Sequence, residues 1–294
     1  MQLLIDRNKS LRFILTGSSA RKLKRGHANL LGGRAWFCEL HPLVAPEVEF
    51  SRIQDRVNIG SLPAVLDSET PRQDLSAYVG TYLKEEILTE SLTRSIENFS
   101  RFLQFASHLN GQQVNFTKIG NDAEIPPRTV KDYFQVLEDT LIARLLPAFQ
   151  KTTKRKPAAT AKFYFFDVGI ANTLLRKGTI ASGTPDFGLA LEHLIFLELI
   201  AYINYHRFDR QLSYWRSLSQ IEVDLLIDDE IAIEVKSTAR VSIQDTKGLK
   251  ALSEDIRLKR QIVVSSETKT RNIDGVEILP YHAFLKKLWN GEIF

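Results

Sequence analysis

The chain has 294 residues, 44% hydrophobic, 25% charged and 10% aromatic, proportions that exclude collagen-like, low-complexity and largely disordered classes. At about 100–200 residues per domain, two or three domains are expected. The 39 Lys and Arg against 35 Asp and Glu leave a formal charge of +4, compatible with nucleic acid but too small a surplus to require it. Cys38 is the single cysteine, which excludes an intramolecular disulfide and a Cys-rich zinc site and makes a reducing, cytoplasmic compartment the default. No apolar run reaches the length of a membrane span, and the charges of MQLLIDRNKS stand where a signal peptide needs an apolar stretch, so neither a membrane location nor export is expected.

In chain order, residues 11–19 (LRFILTGSS) predict a buried strand closed by a polar turn, then a helix over 20–31 and a second strand over 35–40, in which Cys38 reads as a core thiol. Two strands cannot close a core, so residues 1–50 read as the end of a larger domain. Residues 51–94, broken by Pro63 and Pro71, read as a helical linker with a helix over 75–88. A new unit starts with Ile96, Phe99, Leu103 and Ala106 on one helical face, and Phe99, Phe102 and Phe105 read as core. Asn115 is placed to cap a short helix. Pro127 suits a first helical position, followed by Val130, Tyr133, Phe134 and Leu137 at i, i+3, i+4 and i+7. Strands over 141–149 and 163–166 flank a basic segment, completing a winged helix-turn-helix over 95–178.

Residues 179–188 predict a loop and 189–205 a very apolar helix. Strands over 212–216, 221–227 and 231–235, a helix over 244–255, strands over 261–264 and 276–279 and a helix over 281–289 follow. The fold class expected is therefore α/β, with a mixed sheet in αβββαβ order over 179–294.

The strongest constellation lies in IEVDLLIDDEIAIEVKST. Side chains alternate along a strand, so Glu234 and Lys236 share a face, and the tight turn at Asp228, Asp229 and Glu230 brings Asp224 beside Glu234. Glu192, on the preceding helix, adds a third carboxylate. Carboxylates at that separation repel unless a cation lies between them, and oxygen ligands without His or Cys favour Mg²⁺ or Mn²⁺, with the Val235 carbonyl as an extra ligand. Lys236 would orient the attacking water or neutralise charge on the phosphate. The plainer alternative is a solvent-facing strand edge on which Glu234 and Lys236 are merely paired.

This spacing resembles the PD-(D/E)xK nuclease superfamily, whose core has the same αβββαβ order. Glu192, Asp224, Glu234 and Lys236 fall on its motif positions, whereas Val223 replaces the proline. The resemblance implies a restriction-endonuclease-like domain with metal-dependent phosphodiester hydrolysis, or a degenerate copy of it.

In the helix-turn-helix, Arg128, Thr129, Lys131 and Gln135 lie largely off the apolar face, where a recognition helix meets a major groove, although Asp132, Glu138 and Asp139 oppose this. Lys151, Lys154, Arg155 and Lys156 form a phosphate-contacting wing or a solvated loop. No G-x-x-x-x-G-K-[ST] occurs, so ATP binding is not expected. FILTGSS with GGRA nevertheless resembles the later part of an AAA-type ATPase domain. Together with TVKDYFQVLEDT, YFFDVGIA, GLALEH, EVDLLI and IEVKS, the chain resembles a bacterial and archaeal family joining such a domain to a C-terminal winged helix and nuclease-like core. The resemblance implies a P-loop upstream of Met1 and leaves Thr16, Ser18 and Arg34 as nucleotide-sensing remnants. Arg34 reads either as a trans-acting finger in a homo-oligomer or as a structural ion pair.

Three functions stay open: a Mg²⁺-dependent nuclease acting on DNA, a noncatalytic DNA-binding or regulatory module on a nuclease scaffold, and a protein-interaction adaptor.

Overall fold

A computed structural model describes residues 6–7, 11–14, 16, 36–82, 96–152 and 154–294. Three short helices, α1 (Ile53–Ile59), α2 (Pro63–Leu66) and α3 (Pro71–Ala77), lead through a π-type turn at Tyr78–Tyr82 towards α4 (Ile96–Ser107). The expected helix over 75–88 is thus displaced towards its N-terminus, and its end lies outside the described residues. Phe99, Phe102, Leu103 and Ala106 are buried against Val130, Tyr133, Phe134 and Leu137 of α6 (Pro127–Asp139). Asn115 Oδ1 accepts the Lys118 N–H at 3.0 Å and caps α5 (Phe116–Ala123). At Gly120 a Cβ would fall 2.6 Å from the Ile125 carbonyl oxygen, so only glycine lets the turn into α6 fold this tightly.

Three strands complete this unit, β1 (Gln112–Gln113), β2 (Ala143–Leu146) and β3 (Lys162–Phe165), in antiparallel order β1-β3-β2. Alternation along β3 sends Phe163 and Phe165 into the winged-helix core and Tyr164 into the core of the C-terminal domain. The connection between β2 and β3 is laid along the C-terminal sheet: Phe149 N–H donates to the Tyr214 carbonyl at 2.7 Å and Ala158 N–H to the Arg216 carbonyl at 2.7 Å.

After α7 (Val168–Leu174), the C-terminal domain runs α8 (Pro185–His206), β4 (Leu212–Arg216), β5 (Glu222–Ile227), β6 (Ile231–Lys236), α9 (Lys247–Ser253), β7 (Arg260–Ser265), β8 (Arg271–Ile273), β9 (Val276–Pro280) and α10 (Tyr281–Trp289). This is the αβββαβ order, in a mixed sheet β4-β5-β6-β7-β9-β8. One sheet face packs on α8 and α10 through Leu225, Ile233 and Val264, the other on α9 through Val223, Ala232 and Val263. Apolar nearly all round, α8 has neighbours on most sides. Among the described residues no helix is long and apolar enough to cross a membrane.

The structure corrects the sequence expectations in places. Residues 11–14 and 36–40 form no strand: Ile14, Trp36 and Leu40 are exposed, and a strand requires a neighbour to satisfy its N–H and C=O groups. Cys38 is accordingly exposed rather than a core thiol. Phe105 is also exposed, because six residues from Phe99 carry a helix about 240° round its axis. The loop over 179–188 is shorter than expected, since Thr184 caps α8 and Pro185 occupies its first position. The expected helix over 20–31 lies outside the described residues.

Candidate functional site

On β5 and β6 the last paired residues are Leu225 and Ile233. One position beyond them Asp224 and Glu234 emerge on neighbouring strands, and Asp224 Oδ2 accepts the Val235 N–H at 2.8 Å. Lys236 Nζ lies 2.5 Å from Glu234 Oε1, as strand alternation requires. From α8, Glu192 reaches the same place. Its Oε1 accepts from Tyr164 Oη at 2.6 Å and from Lys162 Nζ at 3.1 Å. The three carboxylates expected to gather therefore interact in a largely buried cluster.

Three further members came from positions the motif does not include. Lys162 Nζ is 2.5 Å from Glu222 Oε1 and 4.0 Å from Asp224 Oδ1 as well as near Glu192, and its side chain is 3% exposed. Glu222 also pairs with Arg216 at 3.1 Å. The third, Tyr164, stands two residues from Lys162 on the same face of β3. A lysine opening the apolar run KFYF was the one visible signal, but nothing in the sequence linked it to strands sixty residues away.

Electrostatics follow from this geometry. Burial lowers the affinity of Lys162 for its proton, but Glu192, Asp224 and Glu222 reverse that and hold it above its ordinary range. Burial and the Asp224 charge push Glu192 up to about 7 against the opposing pull of Lys162. The same two causes raise Glu234 well above the usual carboxylate range, against Lys236. Burial and then Glu192 raise the Tyr164 phenol, so it stays a donor.

The donor set invites comparison with a divalent-cation site. All-oxygen chemistry suits a hard ion, and Glu234 Oε2 is buried without a hydrogen-bond partner. Against this, Lys162 already supplies positive charge to Glu192 and Asp224, and Asp224 Oδ2 is engaged by backbone. Among the described residues no group of three or more His, Cys, Asp and Glu side chains is arranged to hold a metal ion. In this arrangement the cluster does not fit the expected Mg²⁺ or Mn²⁺.

The nucleic-acid candidates are dispersed. Arg128, Lys131 and Gln135 are exposed on α6 and Thr129 is half-buried. Gln135 Nε2 donates to Asp139 at 3.1 Å. Lys151, Lys154 and Lys156 are exposed, whereas Arg155 turns to the end of α9, donating to the Ala251 carbonyl at 2.9 Å and pairing just beyond the helix with Glu254 at 2.6 Å and Asp255 at 3.3 Å. Thr16 is exposed on irregular backbone; Ser18 and Arg34 lie outside the described residues.

Residues 51–180 match the model of a domain of unknown function, DUF8612, and residues 187–284 that of another, DUF4143. The second takes in Glu192, Glu222, Asp224, Glu234 and Lys236, and the first Lys162 and Tyr164. The cluster is thus assembled from both matched regions. No curated protein and no solved structure matches the chain.

Proposed function

We propose that this protein interacts with DNA through its winged helix, and that its C-terminal domain is a noncatalytic scaffold related to PD-(D/E)xK nucleases. The observation that carries the noncatalytic part is the buried Lys162 ammonium within 4.0 Å of Glu192 and Asp224, two of the carboxylates that a nuclease would turn on a metal. Exposed Arg128, Lys131, Lys151, Lys154 and Lys156 support phosphate contact without base reading. The match to DUF4143 supports the resemblance to AAA-type ATPase-associated proteins, and with no P-loop ATP binding is not expected of this chain. An active nuclease is the second reading, favoured by the unpartnered Glu234 Oε2.

Fluorescent duplex DNA and the purified chain separate these readings. Binding should weaken with salt, and Lys154→Ala with Lys156→Ala should make the slope of log K against log[salt] shallower by about 0.9 for each phosphate no longer neutralised. Mg²⁺ or Mn²⁺ should produce no cleavage. Cleavage abolished by Asp224→Ala would establish the nuclease reading instead, and an absence of DNA binding would leave the protein-interaction adaptor.

A further inference from the structure

We propose that Lys162 is the resident cation of the carboxylate cluster, supplied by the winged-helix sheet, and that it excludes divalent metal ions from the C-terminal domain. This rests on the scaffold reading above and adds the cause of it.

Lys162 is fixed by its backbone before its side chain is considered. It sits on the central strand of its sheet, opposite Gln113 of β1 and Leu146 of β2. Its neighbour on the same face, Tyr164, stacks on Phe196 of α8 with ring centroids 4.4 Å apart and donates to the same oxygen of Glu192 that Lys162 engages. The ammonium is therefore held in place among three carboxylates.

Such a placement opposes a metal in two ways. A dication among these oxygens would face a like charge at contact range in a medium that screens poorly. Moreover, one oxygen of each carboxylate is already engaged: Glu192 Oε1 takes two donors, Asp224 Oδ2 takes the Val235 N–H and Glu234 Oε1 takes Lys236, which leaves Glu234 Oε2 as the buried oxygen without a partner. Moving Lys162 aside would bury an ammonium without its partners or break the β1-β3-β2 sheet. The same interactions bind the winged helix to the C-terminal domain, so the residue that blocks the metal also joins the two units.

Calorimetry with Mn²⁺ alone on the full chain tests this. The unsubstituted protein should show no saturable binding, and Lys162→Arg, which keeps the charge, should behave alike. Lys162→Met, similar in length but uncharged, should gain saturable Mn²⁺ binding where the unsubstituted protein has none, and adding Glu234→Gln should remove that binding. Saturable binding by the unsubstituted protein that Glu234→Gln abolishes would overturn the proposal, as would a folded Lys162→Met protein with no gain. Should Lys162→Met fail to fold, acylation of the unsubstituted chain by a succinimidyl ester, read by mass spectrometry, decides. Lys162 should stay protected with and without Mn²⁺, and labelling on Mn²⁺ addition would refute the idea. The cleavage assay fails independently: cleavage sinks the scaffold reading, whereas an unchanged Lys162→Met affinity sinks only the role of Lys162.

Discussion

Lys162 and His193 are both enclosed, yet they end on opposite sides of their ordinary ranges. For Lys162 the surrounding carboxylates outweigh burial. His193 has no such partner, and burial lowers it to about 4. Its neutral ring is used fully: Nε2–H donates to the Phe165 carbonyl at 2.6 Å, and Nδ1 accepts from Asn110 Nδ2 at 3.2 Å. A base whose folded-state pKa lies below its unfolded value of 6.5 binds fewer protons when folded. Its contribution is complete above pH 6.5 and is lost as the pH falls towards 4, by roughly 3 kcal/mol. Urea unfolding across that window should show the stability of the natural chain falling relative to His193→Gln. Parallel profiles would mean that His193 titrates normally. At this scale the sequence was legible where chemistry is local: Glu192, Asp224, Glu234 and Lys236 stand out as charges in apolar runs of the predicted domain. Lys162, Tyr164 and Glu222 were not, because their role comes from tertiary approach of β3 to α8 and β5.

Elements were most legible where pattern and partner agree. Strand β4 and helix α10 fall on the expected residues, because alternation or helical spacing is bounded by clear turns and each has a packed neighbour. Strand β8 was missed, since Arg271, Asn272 and Ile273 carry no apolar alternation and form an outer edge. The predicted strands near 11–14 and 36–40 had the right composition but no neighbour among the described residues, and composition alone does not satisfy backbone hydrogen bonds. The start of α8 came four residues before the expected one, within what reads as a loop, at a cap rather than an apolar residue: Thr184 Oγ1 accepts the Phe187 N–H at 3.2 Å. Thr184→Ala should therefore lower the unfolding free energy by about 1 kcal/mol, with Thr184→Ser retaining most of it. An unchanged urea midpoint for Thr184→Ala would show that the cap contributes nothing.

Across the whole molecule, polar interactions bind segments distant in sequence. Glu198 of α8 pairs with Arg56 of α1 at 2.5 Å and also accepts from the Ala45 N–H and, through its other oxygen, from Trp289 Nε1 of α10. The connection beyond β2 is tied to β4, and Arg155 to α9. The winged helix is thus built onto the C-terminal domain, with Lys162 reaching from one into the carboxylates of the other. Central to this account is the claim that the cluster already holds its cation. Diffraction from crystals of the unsubstituted chain grown with Mn²⁺, using anomalous differences, tests it most directly. The account predicts no manganese peak among Glu192, Asp224 and Glu234, with Lys162 Nζ between Glu192, Glu222 and Asp224. A manganese peak there, with Lys162 displaced, would contradict it.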